Sequence, residues 1–134
     1  MDRYTLDTVG LLRYAVGELP DAVLDVFKAA ARGDAVVQVP NIAVVEALYK
    51  FDKRDTVSGV ELTRPAEDVP RFVEEEMPVT VVATSMPEIR TLAGNLSDYS
   101  IHDAMVVASH EINETDAIIT TDENIRGRVP TVWK

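Results

Sequence analysis

The chain has 134 residues, no cysteine and a formal net charge of −10, with 46% of its residues apolar. That length gives one domain with a real core, and the even spread of apolar residues excludes a mainly disordered chain. The absence of cysteine excludes disulfides, zinc ribbons and thiol nucleophiles, and suits a reducing cytoplasm.

Arg3–Leu6 reads as a short buried strand ending at Asp7. Thr8–Gly17 carries Leu11, Leu12, Ala15 and Val16 at helical spacing, with Gly17 as its stop. Asp21 is expected to cap a second helix running to Arg32, with Gly33 behind it. Ala35–Val39 is short and β-branched, which suits an interior strand closed by Pro40. A helix then runs from Pro40 or Asn41 to about Phe51. Residues 52–63 are polar and poorly periodic, and read as a surface loop or a weak helix start at Ser58.

Glu67–Glu76 is expected as a helix whose glutamates face solvent, followed by a strand over Val79–Ala83. Ser85 caps a helix to about Leu96, with Pro87 tolerated in its first turn. Ser100–Asn113 forms another helix, and Ala117–Thr121 and Thr131–Trp133 supply the last two strands. There are no repeats and no internal linker, so the expectation is a single domain over residues 1–134. Strands alternating with helices argue for an α/β fold around a parallel sheet, in which ligands bind beyond the carboxyl ends of the strands. The N-terminus lacks a basic stretch followed by an apolar run, and no apolar segment approaches a membrane span. The expectation is a soluble, cytoplasmic protein with no membrane partner.

Four carboxylates sit where such a sheet would bind a ligand, and each also has a plainer reading. Asp7 follows the first strand and reads equally as an N-cap or as a metal ligand. Glu46 lies in Ile42-Ala43-Val44-Val45-Glu46-Ala47-Leu48-Tyr49, a helix apolar on nearly every side. A buried carboxylate needs a partner; an i,i+4 pair with Lys50 is one candidate, a metal the other. Asp103, in Ser100-Ile101-His102-Asp103, matches a capping box. Asp122 follows the apolar strand as Asp7 follows the first, and can cap the turn at Glu123–Gly127. Together they form a constellation stronger than its members, since clustered carboxylates repel one another unless a cation neutralises them. Oxygen donors without cysteine favour Mg²⁺ or Mn²⁺ over zinc. His102 and His110 read as ordinary helix-surface residues. No nucleophile elbow and no phosphate-cradling glycine loop occurs.

The strings Tyr4-Thr5-Leu6-Asp7-Thr8, Val39-Pro40-Asn41-Ile42-Ala43-Val44-Val45-Glu46, Ile101-His102-Asp103-Ala104 and Thr120-Thr121-Asp122 resemble, in order and spacing, the successive motifs of PIN domains. The likeness covers almost the whole chain and is nearest to the VapC-type toxins of toxin–antitoxin pairs. It implies a three-layer α/β/α sandwich with a mainly parallel sheet, and cleavage of single-stranded RNA with Mg²⁺ or Mn²⁺. It places the metal-binding, catalytic carboxylates on Asp7, Glu46, Asp103 and Asp122. Thr120 matches the polar residue that supports them from behind, and the expected partners are an RNA substrate, a cognate antitoxin and a second copy of the chain. One departure stands out: the family commonly has Ser, Thr or Asn two residues after its first Asp, where this chain has Val9. That departure keeps open a catalytically weak, protein-binding PIN-like module as the alternative. A phospho-receiver domain also gathers Asp at strand ends, but it places a lysine at the end of a late strand, and the last strands here end at Thr121 and Trp133.

The charge argues against a nucleic-acid partner taken alone, because net negative charge repels phosphate. It is uneven: residues 1–54 carry 7 basic and 8 acidic side chains, residues 55–134 carry 6 and 15. A metal site would account for part of it. An acidic surface with only four lysines also fits a halophilic source, and the melting temperature is then expected to rise in molar KCl; an unchanged value would contradict this.

Overall fold

The computed structural model describes residues 1–134 as a five-stranded sheet between two layers of helices. The strands are β1 (Asp2–Leu6), β2 (Ala35–Pro40), β5 (Thr80–Val82), β6 (Ala117–Ile119) and β7 (Thr131–Val132), in the order β5-β2-β1-β6-β7. Every pairing is parallel. The chain moves outward from β1 through β2 to β5, then returns to lay β6 and β7 on the other side. The order therefore reverses between β1 and β6, where a crevice opens beyond the strand ends.

Strand alternation divides the core. Leu6, Val37, Val39 and Ile119 face one side, where α1 (Thr8–Val16), α2 (Asp21–Ala31) and α3 (Asn41–Asp52) bury Leu11, Val23, Phe27, Ala43 and Ala47. Ile118 faces the other side and packs with Val106, Val107 and Ile125. Those come from α6 (Ile101–Ile112) and α7 (Glu123–Arg126), and α5 (Met86–Asn95) lies against α6. This is the three-layer α/β/α sandwich with a parallel sheet that the sequence predicts. No helix is long and apolar enough to cross a membrane.

Three local expectations are corrected. Residues 56–61 form a hairpin, β3 (Thr56–Val57) against β4 (Val60–Glu61), in place of a loop or helix start. Ser58 and Gly59 both have positive φ (50° and 78°), the geometry of a tight two-residue hairpin turn. The hairpin also delivers Leu62 to the core, where it is 1% exposed. Residues 66–76 are helical but irregular: a 3₁₀ turn at Ala66–Asp68, one α turn at Val69–Arg71 (α4) and a π turn at Phe72–Glu76. Pro70 has no N–H to continue a regular ladder, and Met77 N–H closes the π turn on Phe72 O at 3.2 Å. Asp21 does not cap α2; it is the first helical residue, the cap is Pro20, and Asp21 favours the helix through its charge.

Gly10, in the first turn of α1, shows how closely that helix seats on the sheet. A Cβ there would drive into the fully buried Leu6 side chain and lie 3.4 Å from Ile119 Cγ2. Gly10→Ala is expected to destabilise the protein by about 1–3 kcal/mol, read by urea denaturation, through overpacking at the start of α1. A variant as stable as wild type would contradict that seating.

Candidate active site

Asp7, Glu46, Asp103 and Asp122 line one cleft of about 210 Å³ at the carboxyl ends of β1 and β6, together with Thr120, His102, Val9 and Ile42. The cleft coincides with the reversal in strand order. Local sequence explains how each side chain arrives there. β1 ends at Leu6, so Asp7 projects beyond the sheet and caps α1, accepting from Gly10 N–H at 3.2 Å. β6 ends at Ile119, two residues before the expected limit, and Thr120 follows it into the lining of the cleft. Its hydroxyl donates to Asp7 Oδ2 and accepts from Asp122 N–H at 3.1 Å. Asp122 in turn caps α7, accepting from Asn124 and Ile125 N–H at 2.9 and 3.0 Å.

Ser100 caps α6 by accepting from Asp103 N–H at 3.3 Å, which sets the Asp103 carboxyl in the first turn, facing the cleft. Glu46 comes from the second turn of α3. The capping readings of Asp7 and Asp122 and the half of the capping box made by Ser100 are thus all present. They are also what aims these carboxylates at the cleft. Capping and convergence are one geometry here, since the N-termini of α1, α6 and α7 point at the same space.

Two side-chain expectations change. Glu46 does not pair with Lys50, which instead reaches Asp55 at 3.6 Å. Its partner is His102 Nδ1, so His102 is a lining residue of the cleft and not a spectator on the helix surface. The signal was its place beside Asp103 in the first turn of α6. Val9 also lines the cleft, and its side chain offers no hydroxyl. His110 keeps a structural place: its Nδ1 lies 2.8 Å from Thr115 Oγ1, which is itself 2.8 Å from Thr5 Oγ1.

The electrostatics follow from crowding acids into a poorly solvated space. Burial pushes the Asp7 carboxyl from 3.8 up to about 7, against the opposing hydrogen bonds from Thr120 and Gly10 and with added repulsion from Asp103. Asp103 is also raised, first by burial and then by the negative charge of Asp122. Neither lysine nor arginine lines the cleft. The donor set is carboxylate oxygen with one imidazole, which fits a divalent cation. As they stand, no three of the acidic and imidazole groups converge tightly enough to hold an ion. Asp7 is turned onto Thr120 and Glu46 onto His102, with Asp122 the main charge acting on Asp103. Holding a cation would require some of these side chains to turn.

No family model matches the chain, and no curated protein matches it by sequence. Solved structures do match over almost the whole length. VapBC2 from Rickettsia felis, bound to a DNA fragment from its promoter, superposes with a TM-score of 0.71 at 11% identity, covering 98% of this chain and 99% of that one. VapC20 from Mycobacterium tuberculosis, a toxin that cleaves the sarcin–ricin loop, gives 0.68 at 16% identity over 98% and 99%. DNA-bound VapBC from Salmonella typhimurium gives 0.68 at 13% identity over 98% of each chain. The α/β/α fold of this chain is therefore the PIN-like fold of the VapC-type toxins that its motifs resemble.

Proposed function

We propose that the chain is a PIN-like metal-dependent endoribonuclease over residues 1–134, which hydrolyses phosphodiester bonds in single-stranded regions of RNA as the toxin of a toxin–antitoxin pair. The observation that carries this reading is the meeting of four carboxylates from four separate chain segments in one cleft, at the reversal point of a VapC-like sheet. Asp7, Glu46, Asp103 and Asp122 would hold Mg²⁺ or Mn²⁺, with Asp7 and Asp103 as direct ligands and Glu46 and Asp122 bound directly or through water. A divalent cation supplies the Lewis-acid charge that activates water and offsets the charge developing on phosphate and leaving oxygen. The chain's own residues position it: Thr120 fixes the Asp7 carboxylate, and the N-termini of α1 and α6 favour the ionised acids. One of the outer carboxylates, Glu46 or Asp122, orients the attacking water.

With no Lys or Arg in the cleft, phosphate binding depends on the cation and on residues outside it. A cognate antitoxin belongs to this proposal through the VapBC likeness, and a homodimer and a cytoplasmic setting through the motif resemblance alone. Val9 favours one competing reading, a catalytically weak module that binds a protein partner. Incubation of the protein with end-labelled single-stranded RNA in Mn²⁺, Mg²⁺ or EDTA separates them. The nuclease reading expects cleavage with either metal, none in EDTA, and loss in Asp103→Asn. A folded protein inert on a panel of single-stranded and structured RNAs, molar salt included, would favour the binding module.

A further inference from the structure

Of the residues lining the cleft, His102 alone is a nitrogen donor, and its contact with Glu46 has a consequence for metal choice. The carboxylate Oε2 of Glu46 can only accept, so the imidazole donates through Nδ1–H. In the neutral imidazole that bond settles the tautomer and leaves Nε2 with a free lone pair. A histidine that binds a metal through one nitrogen commonly donates its other N–H to a carboxylate in this way, which both orients the ring and makes it a better ligand. The side chain of His102 is 51% exposed and that of Glu46 is 25% exposed, so the pair sits at the mouth of the cleft where an entering ion first meets it.

We propose that His102 Nε2 is a ligand to the cation held by the carboxylates, so that this site binds Mn²⁺ in preference to Mg²⁺. The inference rests on the reading of the cleft as a divalent-metal centre. Its chemistry is that Mg²⁺ takes oxygen ligands in a strict octahedron and sheds water reluctantly, whereas Mn²⁺ lies among the first-row ions whose affinity gains from imidazole. Glu46 then acts in part through His102, and Asp7, Asp103 and Asp122 supply the oxygen donors. His110, tied to Thr115 and Thr5, has no part in it.

The test needs no RNA. Mn²⁺ and Mg²⁺ are titrated calorimetrically into the wild-type protein, His102→Ala, His102→Gln and His110→Ala, and the Mn²⁺-loaded samples are examined by pulsed EPR for nitrogen coupling. The expected result is nitrogen modulation on bound Mn²⁺ in the wild type and in His110→Ala, and its loss in both His102 variants. Mn²⁺ affinity should fall about tenfold in those two variants, with Mg²⁺ affinity changing less than about twofold. Glutamine can still donate to Glu46 but has no imidazole lone pair. Restoration of Mn²⁺ affinity by His102→Gln would therefore reduce His102 to a residue that positions Glu46, and would overturn the inference. Mn²⁺ bound tightly without nitrogen modulation would overturn it while leaving the metal centre standing. No binding of either ion at millimolar concentration would overturn both.

Discussion

Asp7→Asn is expected to abolish metal-dependent RNA cleavage, leave the fold intact, and make the ion-free protein more stable at neutral pH. Asparagine is as good an N-cap as aspartate, so its amide oxygen keeps the bond from Gly10 N–H, while its NH2, in the place of Oδ2, donates to the Thr120 hydroxyl oxygen. What disappears is a charge in a site that is 9% exposed. Burial raises the Asp7 carboxyl from 3.8 to about 7. Between those values the folded protein keeps a proton that the unfolded chain has released, so stability is full below about pH 4 and falls as pH rises through 7. The total loss is on the order of 2–4 kcal/mol by the linkage between pKa and stability. Urea denaturation at pH 5 and pH 8 should show that decline in the wild type and a much flatter profile in Asp7→Asn. Added Mn²⁺ should recover stability in the wild type and do far less for the variant. Cleavage retained at the wild-type rate would remove Asp7 from the reaction.

Thr120→Val carries the second large effect. The hydroxyl is fully buried, donates to Asp7 Oδ2 and accepts from Asp122 N–H, so it ties two of the proposed ligands together. Valine matches its shape and removes both bonds. Leaving a buried carboxylate oxygen and a backbone N–H unpaired should cost about 1–3 kcal/mol. Loss of a group that orients metal ligands should lower the cleavage rate about 10–100-fold, and Thr120→Ser should restore most of both. A Thr120→Val protein with full activity would mean that Asp7 is oriented by something other than this hydroxyl.

The framework of the site was readable because its signals are local. The apolar runs at Arg3–Leu6 and Ala117–Ile119 mark interior strands, and an acid just past each one marks a strand end in a parallel sheet. The helix starts at Ser85 and Ser100 follow from a single hydroxyl accepting from the N–H three residues on. What was missed depends on partners distant in the chain. Glu46 and Lys50 sit at ideal helical spacing, yet Glu46 turns to His102 and Lys50 to Asp55, because α6 crosses α3 at that point. Periodicity along one helix cannot report which helix lies beside it. The hairpin at residues 56–61 was hidden for a different reason: its strands are two residues each, too short for alternation to register, and only Ser58-Gly59 marks the turn. In residues 66–76 the helical signal was correct, and Pro70 decided that the helix could not be regular.

Everything proposed for this chain depends on a cation in the carboxylate cleft. The most direct measurement is anomalous diffraction, near the manganese edge, from crystals of the protein grown or soaked with Mn²⁺. The predicted result is a peak within ligand distance of Asp7 and Asp103 in the wild type, absent in Asp7→Asn. Crystals that take up Mn²⁺ only elsewhere on this acidic surface, with the cleft empty, would contradict it.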